Sequence, residues 1–459
     1  MADAVDLMLM AAAREPYRQA AVSHYHALLE RRDVKAFAEN LQEELKKRGA
    51  IFGGRPLCPF LRPHFIGREQ YLLMQDAVRG IFRALSVLRP RLLKEEKFKK
   101  ILGFTEAERE LIEVDPGYEE FSVTSRLDSF MLGGILNFVE YNAETPAGMC
   151  YADEMIKLFD STEIMREFKK EFPYQYMLVS DRLLQAILDT YEEWGGTEKP
   201  TIAIVDYDGL PTVPEFQLVQ KHFQKSGYKC LIADPRNLEY NNGVLSYKGQ
   251  HIHIVYKRLL INEYFDHADE CKAYWEAYKN HAACFVNSFR CKYYHKKAIF
   301  AILSDPQYQE GFSDSQIQTI YTHIPWTRML TDCSTTDPQG GRIELLDWVR
   351  RNRSNLVLKP NDDYGGHGIF VGWECDEGAW EAAIEKSLKA NYLVQIKVDV
   401  AREHYPSWNG SQVEMGEYAV DLDPYIFGGR VAGFMTRLSG TSLCNVTSGG
   451  GATATFILD

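Results

Sequence analysis

The chain of 459 residues carries 52 basic against 64 acidic side chains, a formal charge of -12, with 45% hydrophobic and 25% charged residues. That balance describes an ordinary globular chain with core enough for two or three lobes, and it argues against disorder. The acidic excess argues against a nucleic-acid-binding surface and is compatible with a cationic substrate.

Nine scattered cysteines without a C-x-x-C pair read as reduced core thiols of a cytoplasmic protein. The first residues include Asp3 and Asp6 in place of the basic start of a signal peptide, and no apolar run reaches membrane-spanning length. From Tyr17 to Arg48 apolar residues recur at three- and four-residue steps, which predicts helix up to Gly49. A Gly/Pro-rich loop, a second amphipathic helix from Glu69 to Leu88 and a charged helical stretch to Glu113 complete a helical N-terminal region, residues 1–115. His24, His26 and His64 lie here as isolated imidazoles and are assigned no role.

The run from Ser125 to Gly148 concentrates the chemistry. Arg126 and Asp128, then Glu140 and Asn142, are spaced i, i+2, so on two strands each pair points to one face, with Gly133-Gly134 as the hairpin turn. Two carboxylates and an amide oxygen offer hard ligands suited to Mg²⁺ against substrate phosphates, and Arg126 can clamp a phosphoryl group. A solvated charged hairpin is the plainer alternative from this window alone.

Helices are expected over 152–168 and 174–194, closing a segment of residues 116–200. The period then changes. Thr201 to Asp206, Pro214 to Lys225 and Lys229 to Asp234 read as a βαβ unit with parallel strands, and 251–260 (HIHIVYKRLL) as a further strand, in an α/β segment of residues 201–280. No G-x-G-x-x-G opens the first helix, which disfavours dinucleotide binding. Asp206 to Gly209, at the strand's carboxyl end, would line a cleft or serve only as turn residues.

In residues 281–459, Lys296 and Lys297 precede an apolar run, and a strand ends at Lys359-Pro360 before a glycine-containing hairpin. Gly365, Gly366 and Gly368 would let backbone N–H groups approach phosphates, with Lys359 as a point charge and residues 361–368, Tyr364 included, as a lid. A helix over 378–388 leads to a strand over 392–398, where Gln395, Lys397 and Val398 would meet the adenine end of a nucleotide. Strands over 413–423 and 429–439 follow, with Arg437 pointing at the Gly449-Gly450-Gly451 triplet as a second phosphoryl clamp. Asp421 and Asp423 would add a metal oxygen or, as strand-end acids, stay solvated.

These residues resemble the circularly permuted ATP-grasp ligases, nearest in motif layout to the synthetase part of glutathionylspermidine synthase and more loosely to eukaryotic glutathione synthetase. The resemblance covers residues 120–160 and 285–459: R-x-D and E-x-N stand ahead of the lysine strands, where unpermuted members close the chain with E-x-N. It implies a mixed α/β ATP-grasp fold with a preATP-grasp-like α/β subdomain. It further implies Mg²⁺ at Asp128, Glu140 and Asn142, ATP phosphates at Lys297 and Lys359, and the moving phosphoryl at Arg126 and Arg437. Nothing in the first 115 residues looks like the Cys-His amidase domain of some glutathionylspermidine synthases. The expected reaction is ATP-driven activation of a small-molecule or peptide carboxylate to an acylphosphate, then capture by an amine. The rivals are a phosphotransferase and a nucleotide-binding scaffold without turnover.

Overall fold

The computed structural model describes residues 4–363, 366–441 and 450–459. The N-terminal helical stretch is divided by its capping chemistry. After α1 (Ala4–Ala13), the single run expected over 17–48 is two helices, α2 (Glu15–Glu30) and α3 (Val34–Lys47). Asp33 leaves the helical region and its carboxylate accepts from Ala36 N at 3.0 Å, starting a new helix in the middle of a continuous apolar pattern. A short strand, β1 (His64–Gly67), leads into α4 (Arg68–Lys94), whose buried face runs through Leu73, Ala77, Ile81, Leu85 and Leu88.

The next two strands, β2 (Thr124–Leu132) and β3 (Ile135–Asn142), form the expected antiparallel hairpin. Gly133 and Gly134 turn it at φ 57° and 84°, a two-residue turn with both centres left-handed, where glycine alone pays no Cβ penalty. Helices α5 (Met149–Asp160) and α6 (Val179–Glu193) follow, separated by a short helix at Glu163–Phe168 and tied by Asp153, whose carboxylate accepts from Val179 N (2.7 Å) and Ser180 N (3.0 Å).

A parallel layer comes next: β4 (Thr201–Val205), helix α7 (Val213–Lys225), β5 (Lys229–Ala233), β6 (Ile254–Lys257) and β7 (Cys284–Val286), in the order β7-β6-β4-β5. The single strand expected over 251–260 is two pieces. Gln250–His251 belongs to a separate small antiparallel sheet, and only Ile254–Lys257 enters the parallel layer.

A four-stranded antiparallel sheet has the order β8-β11-β9-β10, from β8 (Thr327–Met329), β9 (Leu356–Pro360), β10 (Phe370–Val371) and β11 (Tyr392–Ile396), with α8 (Glu377–Leu388) between the last two. The chain then returns to the β2–β3 hairpin: β12 (Arg402–Trp408), β13 (Val413–Phe427), β14 (Arg430–Ser439) and β15 (Gly451–Thr453) extend it into a six-stranded sheet. The final strand, β16 (Thr455–Leu458), leaves that sheet to pair in parallel with β1, Thr455 opposite His64. Residues 451–458 thus serve two sheets.

Most described cysteines are buried, as a core reading requires, but Cys333 is exposed and Cys375 half-buried; Cys444 lies outside the described residues.

Candidate active site

Register brings the two i, i+2 pairs together. Arg126 lies opposite Asn142 and Asp128 opposite Glu140, with a bulge just beyond, between Asp128 and Ser129. Bulges re-aim side chains beside functional sites. The hairpin is fixed from behind by Asn287, fully buried just past β7. Its Oδ1 accepts from Val123 N (2.7 Å) and Thr124 N (3.0 Å), and its Nδ2 donates to the carbonyls of Thr124 (2.8 Å), Ala143 (3.1 Å) and Glu144 (3.0 Å). One amide therefore satisfies backbone groups at the open end of the hairpin, around the start of β2 and just past the end of β3, which no apolar side chain could do.

The neighbouring strand supplies what the sequence left open. β13 does not end at Asp423 but runs to Phe427 and pairs with β2, Tyr425 opposite Arg126. Asp421 and Asp423 are therefore mid-strand and buried, which corrects the solvated strand-end alternative. Arg437, opposite Asp421 on β14, has its guanidinium among carboxylates, while the glycine triplet expected to face it lies partly outside the described residues. Its Nη2 lies 2.6 Å from Asp128 Oδ2 and 2.9 Å from Asp423 Oδ2, and it donates also to Asp421. Arg126 Nε donates to Asp128 Oδ1 at 2.8 Å, and Asn142 Nδ2 donates to the same oxygen at 2.8 Å.

Two arginines thus face three aspartates. Burial opposes the charge on Asp128, but Arg126 and Arg437 outweigh it and hold its carboxyl well below the usual range. For Asp421 and Asp423 burial wins over Arg437 and pushes both carboxyls up. A carboxylate oxygen of each of Asp128, Asp421 and Asp423 lies within 4.8 Å of the others. With Glu140 and Asn142 alongside, every donor is oxygen, and Asp421 Oδ1 is buried without a hydrogen-bond partner among the described residues, so this face fits a hard divalent cation.

Across a cavity of about 850 Å³ stands the second wall. Lys359 on β9 donates to Gln395 Oε1 (2.7 Å) and to the Val139 carbonyl (3.1 Å). Its ammonium is pushed down to about 8, by burial first; Glu140 raises it in part and Lys297 opposes that. Gln395 also donates to Thr327 Oγ1 at 3.0 Å, so its side chain braces the lysine end of the cleft. Lys397 stacks its ammonium 4.4 Å from the Trp373 ring, and its backbone N–H is taken by the Asn355 carbonyl at 2.8 Å. Val398 and Gly366 also line the cavity.

Lys297 sits behind the wall: its Nζ is 3.2 Å from Glu140 Oε1 and donates to the Asp363 carbonyl at 2.6 Å, linking the hairpin acid to the root of the 361–368 segment. Lys296 pairs with Glu108 (2.8 Å) and Asp362 (3.0 Å) away from that cleft. Gly368 holds φ 69° and its carbonyl accepts from Tyr392 Oη at 3.0 Å. Tyr364, Gly365 and Gly449 lie outside the described residues.

Asp206, the first of the candidate cleft residues after β4, closes the far end together with residues unassigned from sequence: Arg258, immediately after β6, Glu263, His295 and the segment of residues 145–147. Asp206 is pushed up to about 7, burial outweighing the Tyr207 N–H and Arg258. The signal for Arg258 was its place at the carboxyl end of a parallel strand, where open α/β sheets bind ligands.

No family model matches the chain. Part of it is similar to a Frankia casuarinae protein with the provisional name glutamate–cysteine ligase 2-2, 32% identical over 162 residues that cover 32% of this chain and 18% of that protein. A Frankia alni protein provisionally named glutamate–cysteine ligase 2-3 is 27% identical over 161 residues, with the same shares of 32% and 18%. The match thus spans less than a fifth of the length of these relatives. Among solved structures, a glutathione synthetase-like effector of Globodera pallida in apo form superposes with a TM-score of 0.58 at 13% identity, covering 92% of this chain and 96% of that one. At that identity the likeness is one of fold: the chain has a glutathione synthetase-like, mixed α/β fold. No helix among the described residues is long and apolar enough to cross a membrane.

Proposed function

We propose that the cleft is the active site of an ATP-dependent carboxylate–amine ligase, built on a circularly permuted ATP-grasp core and resembling the synthetase part of glutathionylspermidine synthase. The observation that carries the reading is the meeting of two separately coded sets on one cavity: Arg126, Asp128, Glu140, Asn142 and Arg437 on one wall, Lys359, Gln395, Lys397 and Val398 on the other. A non-catalytic binder has no need of five charged or amide groups aimed at one end of a nucleotide pocket.

In this reading Asp128, Glu140 and Asn142, with Asp423 behind them, hold Mg²⁺, which neutralises phosphate charge. Lys359 holds the phosphates, with Lys297 behind the wall fixing Glu140, while the strand end from Gln395 to Val398 takes the adenine side. Arg126 and Arg437 stabilise charge on the γ-phosphoryl as a substrate carboxylate attacks it. The carboxylate oxygen bonds to the γ-phosphorus as the bond to the bridging oxygen breaks and ADP leaves, giving an acylphosphate; an amine nitrogen then attacks the acyl carbon, the C–N bond forms, the C–O bond breaks with its electron pair leaving on phosphate, and the nitrogen's proton passes to phosphate or water. The names of the Frankia relatives make glutamate the first carboxylate to try.

Purified protein with ATP, Mg²⁺, glutamate or γ-glutamylcysteine, and hydroxylamine as trapping amine tests this. ADP and hydroxamate should form together in constant ratio. ADP with a phosphorylated product and no hydroxamate would favour a phosphotransferase. No ADP with these or with pooled carboxylates and amines would overturn the reading.

A further inference from the structure

Ten carboxyl side chains are buried among the described residues, and nine of them are satisfied by their surroundings. Eight have an arginine or lysine nitrogen no more than 3.8 Å away. Asp153 lacks one but accepts from the N–H groups of Val179 and Ser180 and from the Ser180 hydroxyl. Asp206 has neither. It is 7% exposed and lines the cavity, its Oδ1 accepts from Tyr207 N at 2.9 Å, and no ion pair among the described residues reaches it. A carboxylate so placed is destabilising unless a ligand supplies the missing partner. Its neighbours say what that partner is. Glu263, on a short helix at Ile261–Asp266, lines the same end of the cavity, and burial pushes its carboxyl up as it does that of Asp206. Arg258 stands beside Asp206, but its guanidinium is already committed: Nη1 donates to the Pro146 carbonyl (2.7 Å) and to Tyr256 Oη (3.3 Å), and Nη2 lies 3.8 Å from Glu215 Oε2. Lys257 turns to Glu144 Oε1 (3.7 Å) and the Leu259 carbonyl (3.4 Å). Burial pushes the His295 imidazole down to about 4, so it is uncharged at neutral pH. Two carboxyls without an ion pair, among cations that are all engaged elsewhere, suit a cationic ligand and repel an anion. The consecutive carbonyls of Pro146 and Ala147 accept from Arg258 and, at 3.5 Å, from Arg126, so Asp206 and the arginine assigned to the γ-phosphoryl flank one short segment of chain.

We propose that Asp206 is the base for the substrate amine: it binds the amine as its ammonium ion and takes the proton that the nitrogen must lose before it can attack. The step rests on the ligase reading. An ammonium has no lone pair. One N–H bond breaks, its electron pair stays on nitrogen, and the proton goes to the Asp206 carboxylate. The neutral nitrogen attacks the acyl carbon of the acylphosphate, the C–N bond forms, and the C–O bond breaks with its electron pair leaving on phosphate. The nitrogen's second proton passes to phosphate or water, and Asp206 returns its own to water as the products leave. The ligand class is therefore a primary or secondary amine that is protonated at neutral pH, with Glu263 as a second carboxylate to hold it. A carboxyl that ionises at about 7 suits a base working near neutral pH.

Two amines of nearly equal size test it with the full chain: hydroxylamine, uncharged at neutral pH, and methylamine, charged there. Each is supplied with ATP, Mg²⁺ and the carboxylate that yields hydroxamate, and amide and ADP are measured together. In Asp206→Asn the ratio of N-methylamide to hydroxamate formed should fall at least about 100-fold. Hydroxamate still forming shows that the variant is folded and turns over ATP; a ratio unmoved overturns the proposal. A second measurement needs no variant. In the wild type the ratio should rise with pH to about 7, where Asp206 ionises, and then level. A ratio that climbs tenfold per unit up to about pH 9 means that free methylamine reacts unaided, and overturns the proposal. Arg258, Glu263 and Lys257 are the charged groups that face Asp206, and Glu263→Gln should keep the rise that Asp206→Asn removes; the reverse overturns the assignment. A wild type that makes hydroxamate but no N-methylamide at any pH overturns the proposal and leaves the ligase reading standing. No hydroxamate and no ADP overturns that reading, and the proposal with it.

Discussion

Two buried clusters in this molecule are each built on a pair of arginines, and they differ in what surrounds the pair. In the first, Arg18 and Arg62 converge on Glu403 at 2.7 and 3.0 Å, joining α2 and the loop before β1 to β12. Arg62 is fully buried, stacked 3.7 Å from the centre of the Tyr405 ring, whose hydroxyl bonds His64 Nδ1 at 2.7 Å. Burial opposes the Glu403 charge, but His64, Arg18 and Arg62 outweigh it and bring its carboxyl down to about 2. In the second cluster, Arg126 and Arg437 face three aspartates beside an open cavity, two of the carboxyls are pushed up, and Lys359 opposite is pushed down. The first arrangement settles its charges within the protein. The second leaves carboxyls and a lysine displaced from their ordinary ionisation beside open space, which in the proposed reading is stability given up for binding.

The sharpest break of that contrast is Glu140→Gln. It removes a carboxylate facing the cavity without opening a void and leaves Lys297 its bond to the Asp363 carbonyl, so turnover measured as ADP release should fall on the order of 10³-fold while the apo melting temperature falls by only a few degrees. Equal loss of both would place Glu140 with the structural cluster.

Glu403→Gln should do the reverse. Leaving Arg62 buried without its counter-charge costs about 3 kcal/mol in denaturant unfolding, with activity per folded molecule unchanged. The same carboxyl predicts an acid limb. With a folded value of about 2 against an ordinary 4.5, the unfolded state binds the extra proton between them, so stability is full above about pH 4.5 and declines as pH falls toward 2. In Glu403→Gln that part of the limb, about 3 kcal/mol over the window, should be missing from a pH series of unfolding curves.

Lys359 predicts an alkaline limb on the other side of the comparison. At about 8 it is protonated below that pH and neutral above it, and phosphates bind the charged form. Nucleotide affinity should therefore fall roughly tenfold per unit above pH 8, until the higher value of the complex is reached. Lys359→Arg, charged throughout, should flatten the profile in titration calorimetry. The smallest effect is expected for Asp421→Asn, which removes a carboxyl that burial already disfavours: apo stability should hold or rise by up to about 1 kcal/mol, whereas a loss of several would show that Arg437 depends on it.

The parts of this picture legible in the sequence were those with a local cause. The two i, i+2 pairs and the Gly133-Gly134 turn define the hairpin, and alternation within a strand puts Arg126 with Asp128 and Glu140 with Asn142 whatever lies around them. The parallel βαβ unit follows in the same way from a change of hydrophobic period. Helix breaks at Asp33 and at Thr162 were missed because a cap is one side-chain bond inside an uninterrupted apolar pattern.

What only the tertiary structure decided is the second half of the site. Asp423 accepts the backbone N–H of Ser129 at 3.0 Å across 294 residues of chain, and that pairing, not any propensity near Asp423, keeps its strand going and buries the acids. The direction of Arg437, the reach of Lys359 to Val139, and the arrival of Arg258 and Asp206 at one cavity have the same origin. Periodicity and turn chemistry act over a few residues; a cleft is made where distant strands pair, and the sequence by itself determined its candidate ligands while the pairing of β13 with β2 determined which of them face one another.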